Sequence, residues 1–482
     1  MLHGLFFLLG LGFIQDLNCA FLIPFFTLLV PLIWKTPRKA LPLFCLFLLA
    51  CFYGHLKRER LPSQDMVNGL AHFIPSEIKE HRSHFKKMEF LTGTISSMET
   101  SSGATFKNIS CSIPLSSSIK RPFINSSYYI YGSLEKKGNP DFYFSFNPDL
   151  FTPWTPIPYS FSLTEWRFNI KQLLSQKIHT LFSDSNVADI MTALTIGTLD
   201  NRMLKFDFGK LGLQHILAIS GFHFGLLAFF LALFFRAVFK EKIAYLALLV
   251  CLTLYLLLLG NSPSILRAYL ALSLYLISKL GNWQSSGLNI LGTALFLELL
   301  IDPHVISHLG FQLSFLATFS ILFLAPLTKK WTLLFFPYRT TKEAMQLHFI
   351  ERWTYLLCCF LRSTVALNIA VSLATIPVCL FYFHKFPVLS LAYNLFIPIA
   401  FSLSLFLLLV SLPFFLLFPP LASFITQFNE FFTSEILSLI SQSPLYFDIY
   451  LRTPHFPLSL LLIILLFIFS LPLSSWHQIS SK

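Results

Sequence analysis

Charged residues are scarce in this chain, where Asp, Glu, Lys and Arg together make up 12% of 482 residues. A soluble domain carries about 25% charged residues. Hydrophobic residues reach 55%, and the mean hydropathy is +0.67. Polar side chains are too few to cover a globule of this size, which excludes a soluble enzyme, a disordered chain and a collagen-like fibre. The composition predicts a polytopic membrane protein, because lipid then covers the apolar surface.

Motifs that hold metals, cofactors or nucleophiles are also missing. The eight cysteines include no Cys-x-x-Cys pair, and only Cys111 lies in the polar part of the chain. The chain has no His-x-His-x-Asp-His cluster, no His-Glu-x-x-His pair and no phosphate-binding glycine-rich loop. Ser220 beside His223 lacks the glycine pattern of a nucleophile elbow. We therefore expect no metal, no cofactor and no catalytic residue.

Long apolar runs divide the chain into four parts. Residues 1–60 and 188–482 hold the predicted membrane segments, about eleven or twelve in total. Residues 61–160 are polar and contain several short alternating or aromatic runs with turn signals, which predict a small β-barrel or sandwich. Residues 161–187 place apolar side chains at helical spacing opposite basic ones, which is typical of an amphipathic connector helix on a membrane surface. The fold class is thus mainly α-helical and polytopic, with an inserted β domain.

Basic loops predict the orientation in the membrane. Three loops, at residues 35–39, 236–242 and 329–352, are rich in Lys and Arg. Placing all three in the cytoplasm gives one consistent threading, which puts the β domain on the extracytoplasmic side. The basic residues at 57–60 conflict with this threading, but long domains obey the rule poorly.

The most distinctive local motif is HILAISGFHFG at residues 215–225, where a predicted span opens. Its small residues Ser220, Gly221 and Gly225 favour close packing between helices. His223 is ionisable inside an apolar run. It either faces a water-filled path or is a packed, neutral side chain.

Further polar residues lie inside the predicted spans. Arg267 and Glu298 each lie about one helical turn inside adjacent spans, and they either pair across helices or extend separately to the interface. Gln312 and Asn394 either hold helices together or line a polar path. The candidates for a conducting path are His223, Arg267, Gln312, Asn394 and Arg362, and the candidates for helix packing are Ser220, Gly221, Gly225, Gly310 and Ser314.

Basic residues alternate with aromatic ones in the β domain, a pattern that suits single-stranded nucleic acid. The stretch from Leu61 to Glu165 carries no net charge, however, which favours an ordinary strand surface unless the charges segregate to one face. The candidate DNA-binding residues are Lys107, Lys120, Arg121, Lys136 and Lys137.

The motif at residues 215–225 closely resembles the signature of the ComEC competence family. Later family positions follow in the same order, among them GFQLSF at residues 310–315, so the resemblance covers roughly residues 188–412. Residues 61–158 look like the small OB-fold-type domain of that family. The resemblance implies an inner-membrane channel that moves one strand of transforming DNA into the bacterial cytoplasm.

The resemblance also bears on activity and partners. Longer members end in a metallo-β-lactamase-like nuclease domain, whose histidine–aspartate cluster this sequence lacks, so no enzyme activity is expected of this chain. The implied partners are single-stranded DNA, the lipid bilayer and other competence proteins, such as an external DNA-binding protein and cytoplasmic motor or strand-binding proteins. A second copy of the chain and a separate nuclease are left open.

Two other classes of protein stay open at this point. One is a polytopic transporter of a small solute or lipid that keeps the same fold. The other is an intramembrane enzyme that uses Ser220, His223 or Asp302, although these residues are scattered along the sequence.

Overall fold

The structure of the protein is a computed structural model, in which the polar part of the chain forms strands and most of the rest forms helices. It describes residues 2–16, 37–57, 66–82, 87–100, 105–106, 109–115, 126–139, 142–149, 152–158, 163–199, 201–219, 221–260, 262–335, 337, 339, 343, 348–442 and 449–480.

The elements follow one another along the described chain in three groups. The first group is α1 (Leu2–Asp16) and α2 (Pro37–Lys57). The second is β1 (Met66–Arg82), β2 (Lys87–Thr100), β3 (Thr105–Phe106), β4 (Ile109–Leu115), β5 (Ser126–Asn139), β6 (Phe142–Pro148) and β7 (Thr155–Pro158). The third is α3 (Leu163–Leu181), α4 (Ser185–Ile196), α5 (Arg202–Lys210), α6 (Gln214–Leu217), α7 (Gly221–Val238), α8 (Glu241–Leu259), α9 (Pro263–Leu280), α10 (Gly287–Ile301), a 3₁₀ helix (Pro303–Ser307), α11 (Leu309–Phe335), α12 (Phe349–Phe383), β8 (Lys385–Pro387), α13 (Ser390–Leu417), α14 (Pro419–Ser441), β9 (Tyr450–Arg452) and α15 (Leu458–Ser480).

Five strands close into a barrel, which confirms the predicted β domain. The order is β1-β2-β4-β6-β5, and β5 pairs back with β1. β4 and β6 run parallel, whereas the other neighbours are antiparallel. The long strand β1 shifts register after His72 and after Pro75, and such irregularities bend a strand enough to close a small barrel.

Alternate side chains of these strands fill the barrel. Phe73, Ile95 and Phe146 are fully buried there, as expected for strands whose side chains alternate between two faces. Cys111 lies in the same core, and burial raises the pKa of its thiol. The thiol is therefore protonated and unreactive at neutral pH.

Five described helices are long and apolar enough to cross a membrane, namely α7, α8, α11, α12 and α13. Shorter apolar helices occur within α1, α2, α10 and α15. The predicted segment at residues 17–34 lies outside the described residues. In the described part of the chain, the mainly helical, polytopic fold class is confirmed.

The helix α3 connects the barrel to the helical part of the chain. Phe168 packs against the barrel core, and Ile178 belongs to the core formed by α4, α13 and α14. Arg167 Nε donates to the carbonyl of Leu257 at 2.9 Å, and Lys171 Nζ donates to that of Leu259 at 2.9 Å. Two predicted basic residues of the connector therefore lie at the carbonyl end of α8, where the helix dipole favours a cation.

The helix α14 occupies a segment whose acidic residues suggest an interfacial position. Its Glu430 instead accepts hydrogen bonds from the backbone N–H groups of Ser183 and Asp184, at 2.8 and 2.6 Å. The carboxylate thus binds the start of α4, where N–H groups lack intrahelical acceptors. Glu430 therefore serves a contact within the protein, whereas Glu435 is exposed.

A polar cluster at one end of the helical bundle

The motif at residues 215–225 does not form one continuous helix. Residues 214–217 form the short helix α6, Ala218 is extended, and α7 begins only at Gly221. Gly212, with φ of +70°, reverses the chain before α6, a conformation that favours glycine. The start of α7 lies beside the start of α9, where Ser264 Oγ of α9 donates to the carbonyl of Ile219 at 3.2 Å.

Arg267 is the centre of the polar contacts at this end of the bundle. Only 8% of this residue is exposed. Its Nε donates to Ser314 Oγ at 2.7 Å, and its Nη1 donates to Thr318 Oγ1. Both hydroxyls belong to α11, at positions i and i+4, which lie on one face of a helix. Thr318 was not among the predicted site residues, although this spacing from Ser314 is visible in the sequence.

Gly221 is the point where α7 meets Arg267. A Cβ atom at Gly221 would stand 2.9 Å from Arg267 Nη2, so glycine is needed for this close approach. The predicted packing role of Gly225 and Gly310 is not supported in the same way. No heavy atom lies within 4 Å of a Cβ placed at either position, because both face open space around the helix.

Glu298 and Arg267 do not form the direct ion pair that the sequence suggests. Glu298 is only 1% exposed, and neither carboxylate oxygen has a hydrogen-bond partner in the described part of the chain. Arg267 lies within electrostatic range, but its Nε and Nη1 are directed to the hydroxyls of α11 instead. A buried carboxylate without a donor is costly, because it has lost water and gained no replacement. We call the set of Gly221, Arg267, Glu298, Ser314 and Thr318 the Arg267 cluster.

The histidines of the motif take different positions. His223 lies in the first turn of α7 and is 5% exposed. His215 lies on α6, donates from Nδ1 to the carbonyl of Gly212 at 3.2 Å, and is close enough to influence His223 electrostatically. Ser220 lies outside the described residues. His223 is thus a buried side chain near the start of α7 rather than one facing lipid.

The other predicted path residues are further from Arg267 or have other partners. Gln312 Nε2 donates to the carbonyl of Ile306 at 2.9 Å, which ties α11 to the preceding 3₁₀ helix. Asn394 has a buried Oδ1 without a partner among the described residues. Arg362 is 6% exposed and lies one turn from Ala366, which contacts Thr328 of α11. At 1.5 Å per residue, Thr328 lies about 21 Å along α11 from Ser314.

The side chains of the five DNA-binding candidates of the barrel lie outside what the structure describes. Lys107, Lys120 and Arg121 are outside the described residues. Lys136 and Lys137 lie in β5, and nothing is described of their side chains. Within the described ranges, no group of three or more His, Cys, Asp or Glu side chains comes together as a metal site would require.

Replacing Glu298 with glutamine tests whether this carboxylate is unpaired. We expect Glu298→Gln to leave the melting temperature unchanged or raise it, because a neutral amide costs less to bury than a carboxylate. The measurement is the thermal unfolding of the detergent-purified protein. Glu430→Ala is the contrasting control and should lower the stability by about 1–3 kcal/mol, because it removes the oxygen that accepts two backbone hydrogen bonds. Equal losses in both variants would show that Glu298 has a partner.

The fold and the cluster define a multi-pass membrane protein with an attached β-barrel and a buried arginine among its helices. The chain matches the model of the Competence protein family over residues 200–476, more than half of its length, and it belongs to that family. It is 28% identical over 211 residues to ComE operon protein 3 of Bacillus subtilis (strain 168), across 43% of this chain and 24% of the relative. The matched region is thus about a quarter of the relative's length. No solved structure matches the chain.

Proposed function

We propose that this protein is a channel of the bacterial inner membrane that passes single-stranded DNA into the cytoplasm during natural competence. Its membership of the competence family supports this role. The observation that carries the proposal is the break in the family-like motif, which sets the start of α7 against the buried Arg267. A cation held inside an apolar bundle is expensive, and such residues usually serve a substrate or ion path.

The chemistry of the cluster fits a polyanion. Each nucleotide brings one negative charge, so a path through the membrane must offer cations and hydrogen-bond donors. Arg267 supplies the charge, and the hydroxyls of Ser314 and Thr318 hold its side chain in place. The buried His223, two residues after Gly221 on α7, would contribute a second polar group near the same helix start.

The β-barrel would meet the strand first. We place it on the extracytoplasmic side, because the basic loop at residues 236–242 favours the cytoplasm. Tyr129 and Tyr131 lie two apart on β5 and are each 42% exposed, and His72 stacks on Tyr129 with ring centroids 4.8 Å apart. Exposed aromatic rings on a strand can stack with successive bases without reading their sequence. An external DNA-binding protein would deliver the strand, and a cytoplasmic motor or strand-binding protein would receive it.

Uptake of labelled DNA tests the proposed function. Cells with the intact gene, cells without it, and complemented cells would be compared for label that reaches the cytoplasm in nuclease-resistant form. We expect uptake to be lost in the deletion and restored by complementation, while DNA binding at the cell surface is unchanged. Unchanged uptake in the deletion would contradict the proposal and would favour a transporter of a small solute or lipid.

A further inference from the structure

We propose that a surface cavity between the end of α9 and the start of α10 binds the headgroup of an anionic phospholipid. The cavity has a volume of about 440 Å³, which is within the usual range for small-molecule sites. It is lined by the last turns of α9 and by the residues that follow, among them Tyr275, Lys279, Trp283 and Gln284. Lys279 lies about 18 Å along α9 from Arg267. The site is therefore separate from the Arg267 cluster and does not rest on the proposed function.

The cavity lies at the level where the helical bundle meets the membrane surface. α8 and α9 are joined by a short connection and run antiparallel, and Thr253 Oγ1 lies 3.0 Å from Tyr269 Oη between them. Residues equally far from the connection lie at one level, so Lys279 is level with the start of α8. That end of α8 follows the basic loop at residues 236–242, which favours the cytoplasm. Anionic lipids give the cytoplasmic leaflet a negative surface potential.

The way in which α9 ends fixes the polar wall of the cavity. The N–H of Asn282, with φ of +55°, donates to the carbonyl of Lys279 at 3.3 Å. The N–H of Trp283 donates to the carbonyl of Ser278 at 2.8 Å. These two bonds form a Schellman motif, in which asparagine takes the left-handed position that glycine usually holds. The indole ring packs on Gly281, where a Cβ atom would stand 3.0 Å from it. The position of Trp283 is therefore set by the helix end and needs no ligand.

Lys279 supplies the positive charge of the cavity. Its Nζ lies 5.5 Å from the centre of the Tyr275 ring, one helical turn earlier, and no carboxylate of the described chain pairs with it. An ammonium group of this kind binds phosphate as a point charge. Tyr275 and Trp283 are 44% and 69% exposed, and aromatic rings of these two types are enriched at the headgroup level of membranes. The charge and the rings thus favour the same ligand.

The side chains around Lys279 change from apolar to polar in the order that a phospholipid does. Towards the membrane interior, Leu272 and Tyr275 lie on the same face of α9 as Lys279. Towards water, Gln284 and Ser285 add an amide and a hydroxyl group to the lining. The phosphate would lie at Lys279, a glycerol headgroup would meet the amide and the hydroxyl, and the acyl chains would follow the apolar face. A DNA strand has no apolar part for that face, so a lipid fits the cavity better.

Quenching of tryptophan fluorescence tests the site, because Trp283 lines the cavity. The full-length protein in detergent is titrated with brominated phosphatidylglycerol or with brominated phosphatidylcholine, whose headgroup has no net charge. The quenching that is lost in Trp283→Phe reports the occupancy of this cavity. We expect phosphatidylglycerol to half-saturate this quenching at a concentration about fivefold lower than phosphatidylcholine, the effect of one lysine on an anionic lipid.

Exchanges of two lysines show whether the preference arises in the cavity. Lys279→Gln should abolish the preference for phosphatidylglycerol, whereas Lys279→Arg should keep it, because the charge remains. Lys242 is exposed at the start of α8 and does not line the cavity, so Lys242→Gln should also keep the preference. Thermal unfolding of each variant shows that the protein is still folded. Equal half-saturation by the two lipids in the unaltered protein, or equal losses in Lys242→Gln and Lys279→Gln, would overturn the headgroup site.

An oligothymidylate distinguishes a lipid site from a nucleic-acid site. It is added to the protein after the cavity has been saturated with brominated phosphatidylglycerol. We expect the fluorescence of Trp283 to stay quenched, because the strand offers nothing to the apolar face of α9. Recovery of this fluorescence in the unaltered protein but not in Lys279→Gln would overturn the assignment to lipid and make the cavity a nucleic-acid site.

Discussion

Arg267→Ala is expected to lower DNA uptake by about a hundredfold while the protein remains in the membrane. Truncating one member of a buried, hydrogen-bonded charged contact costs about 2–5 kcal/mol, and each 1.4 kcal/mol is a factor of about ten. The change removes the cation at the start of the proposed path and leaves Ser314 and Thr318 without their donor. The measurement is nuclease-resistant label in the cytoplasm, at matched membrane abundance.

A second arginine provides the control for this prediction. Arg236 lies at the other end of α7, where its Nη2 donates to the hydroxyl of Tyr245 at 3.0 Å. Arg236→Ala should reduce uptake much less, because this arginine binds Tyr245 at the opposite end of α7 and is not part of the Arg267 cluster. His223→Ala is expected to resemble Arg267→Ala. Normal uptake in Arg267→Ala would remove the cluster from the path, and equal losses in both arginine variants would point to folding instead.

Asn429→Ala is expected to destabilise the helical bundle more than any other single exchange between α13 and α14. Asn429 is 1% exposed, its Oδ1 accepts from Ser404 Oγ at 2.6 Å, and its Nδ2 donates to the carbonyl of Ser404 at 3.1 Å. Thr433 also donates to the same oxygen, at 3.3 Å. Removing the amide leaves these buried groups unsatisfied, which costs about 1–3 kcal/mol for each group.

The asparagine of α13 is the matched control. Asn394 has a buried Oδ1 without a partner among the described residues. Asn394→Ala should therefore change the stability by less than about 0.5 kcal/mol. Thermal unfolding and membrane abundance are the two measurements. Equal destabilisation by the two exchanges would show that the Ser404–Asn429 contacts contribute little to the packing of α13 on α14.

Much of the architecture could be predicted from local sequence. Apolar runs predict α8 and α10 to within two residues, because a run of apolar residues has few stable alternatives to a helix in lipid. Alternating runs predict the barrel, since neighbouring side chains of a strand face opposite sides. The helical form of α14 is less clear from the sequence, because the partners of Glu430 lie just before α4, far away in the chain.

The candidate site was predicted in its members but not in its contacts. Gly221, His223 and Arg267 stand out because small or ionisable residues are unusual in apolar runs. Thr318 was missed, because one threonine in an apolar helix carries little signal until its partner is known. The sequence suggests an Arg267–Glu298 pair, because the two residues lie equally deep inside adjacent predicted spans. Which side chain Arg267 contacts depends instead on how α10 and α11 are rotated about their own axes, and this is not visible in the sequence.

The sequence by itself determined the class of this protein. The chain has too few charged residues to cover a soluble globule, and it has long apolar runs and one stretch of alternating residues. These features together indicate a helical membrane protein with a β domain. Tertiary structure alone decided which polar residues meet, because hydrogen bonds depend on ångström distances between helices that are far apart in the chain. Only the structure shows that the motif is interrupted before Gly221 and that Arg267 donates to the hydroxyls of α11. It also shows that Glu298 is buried without a hydrogen-bond donor among the described residues.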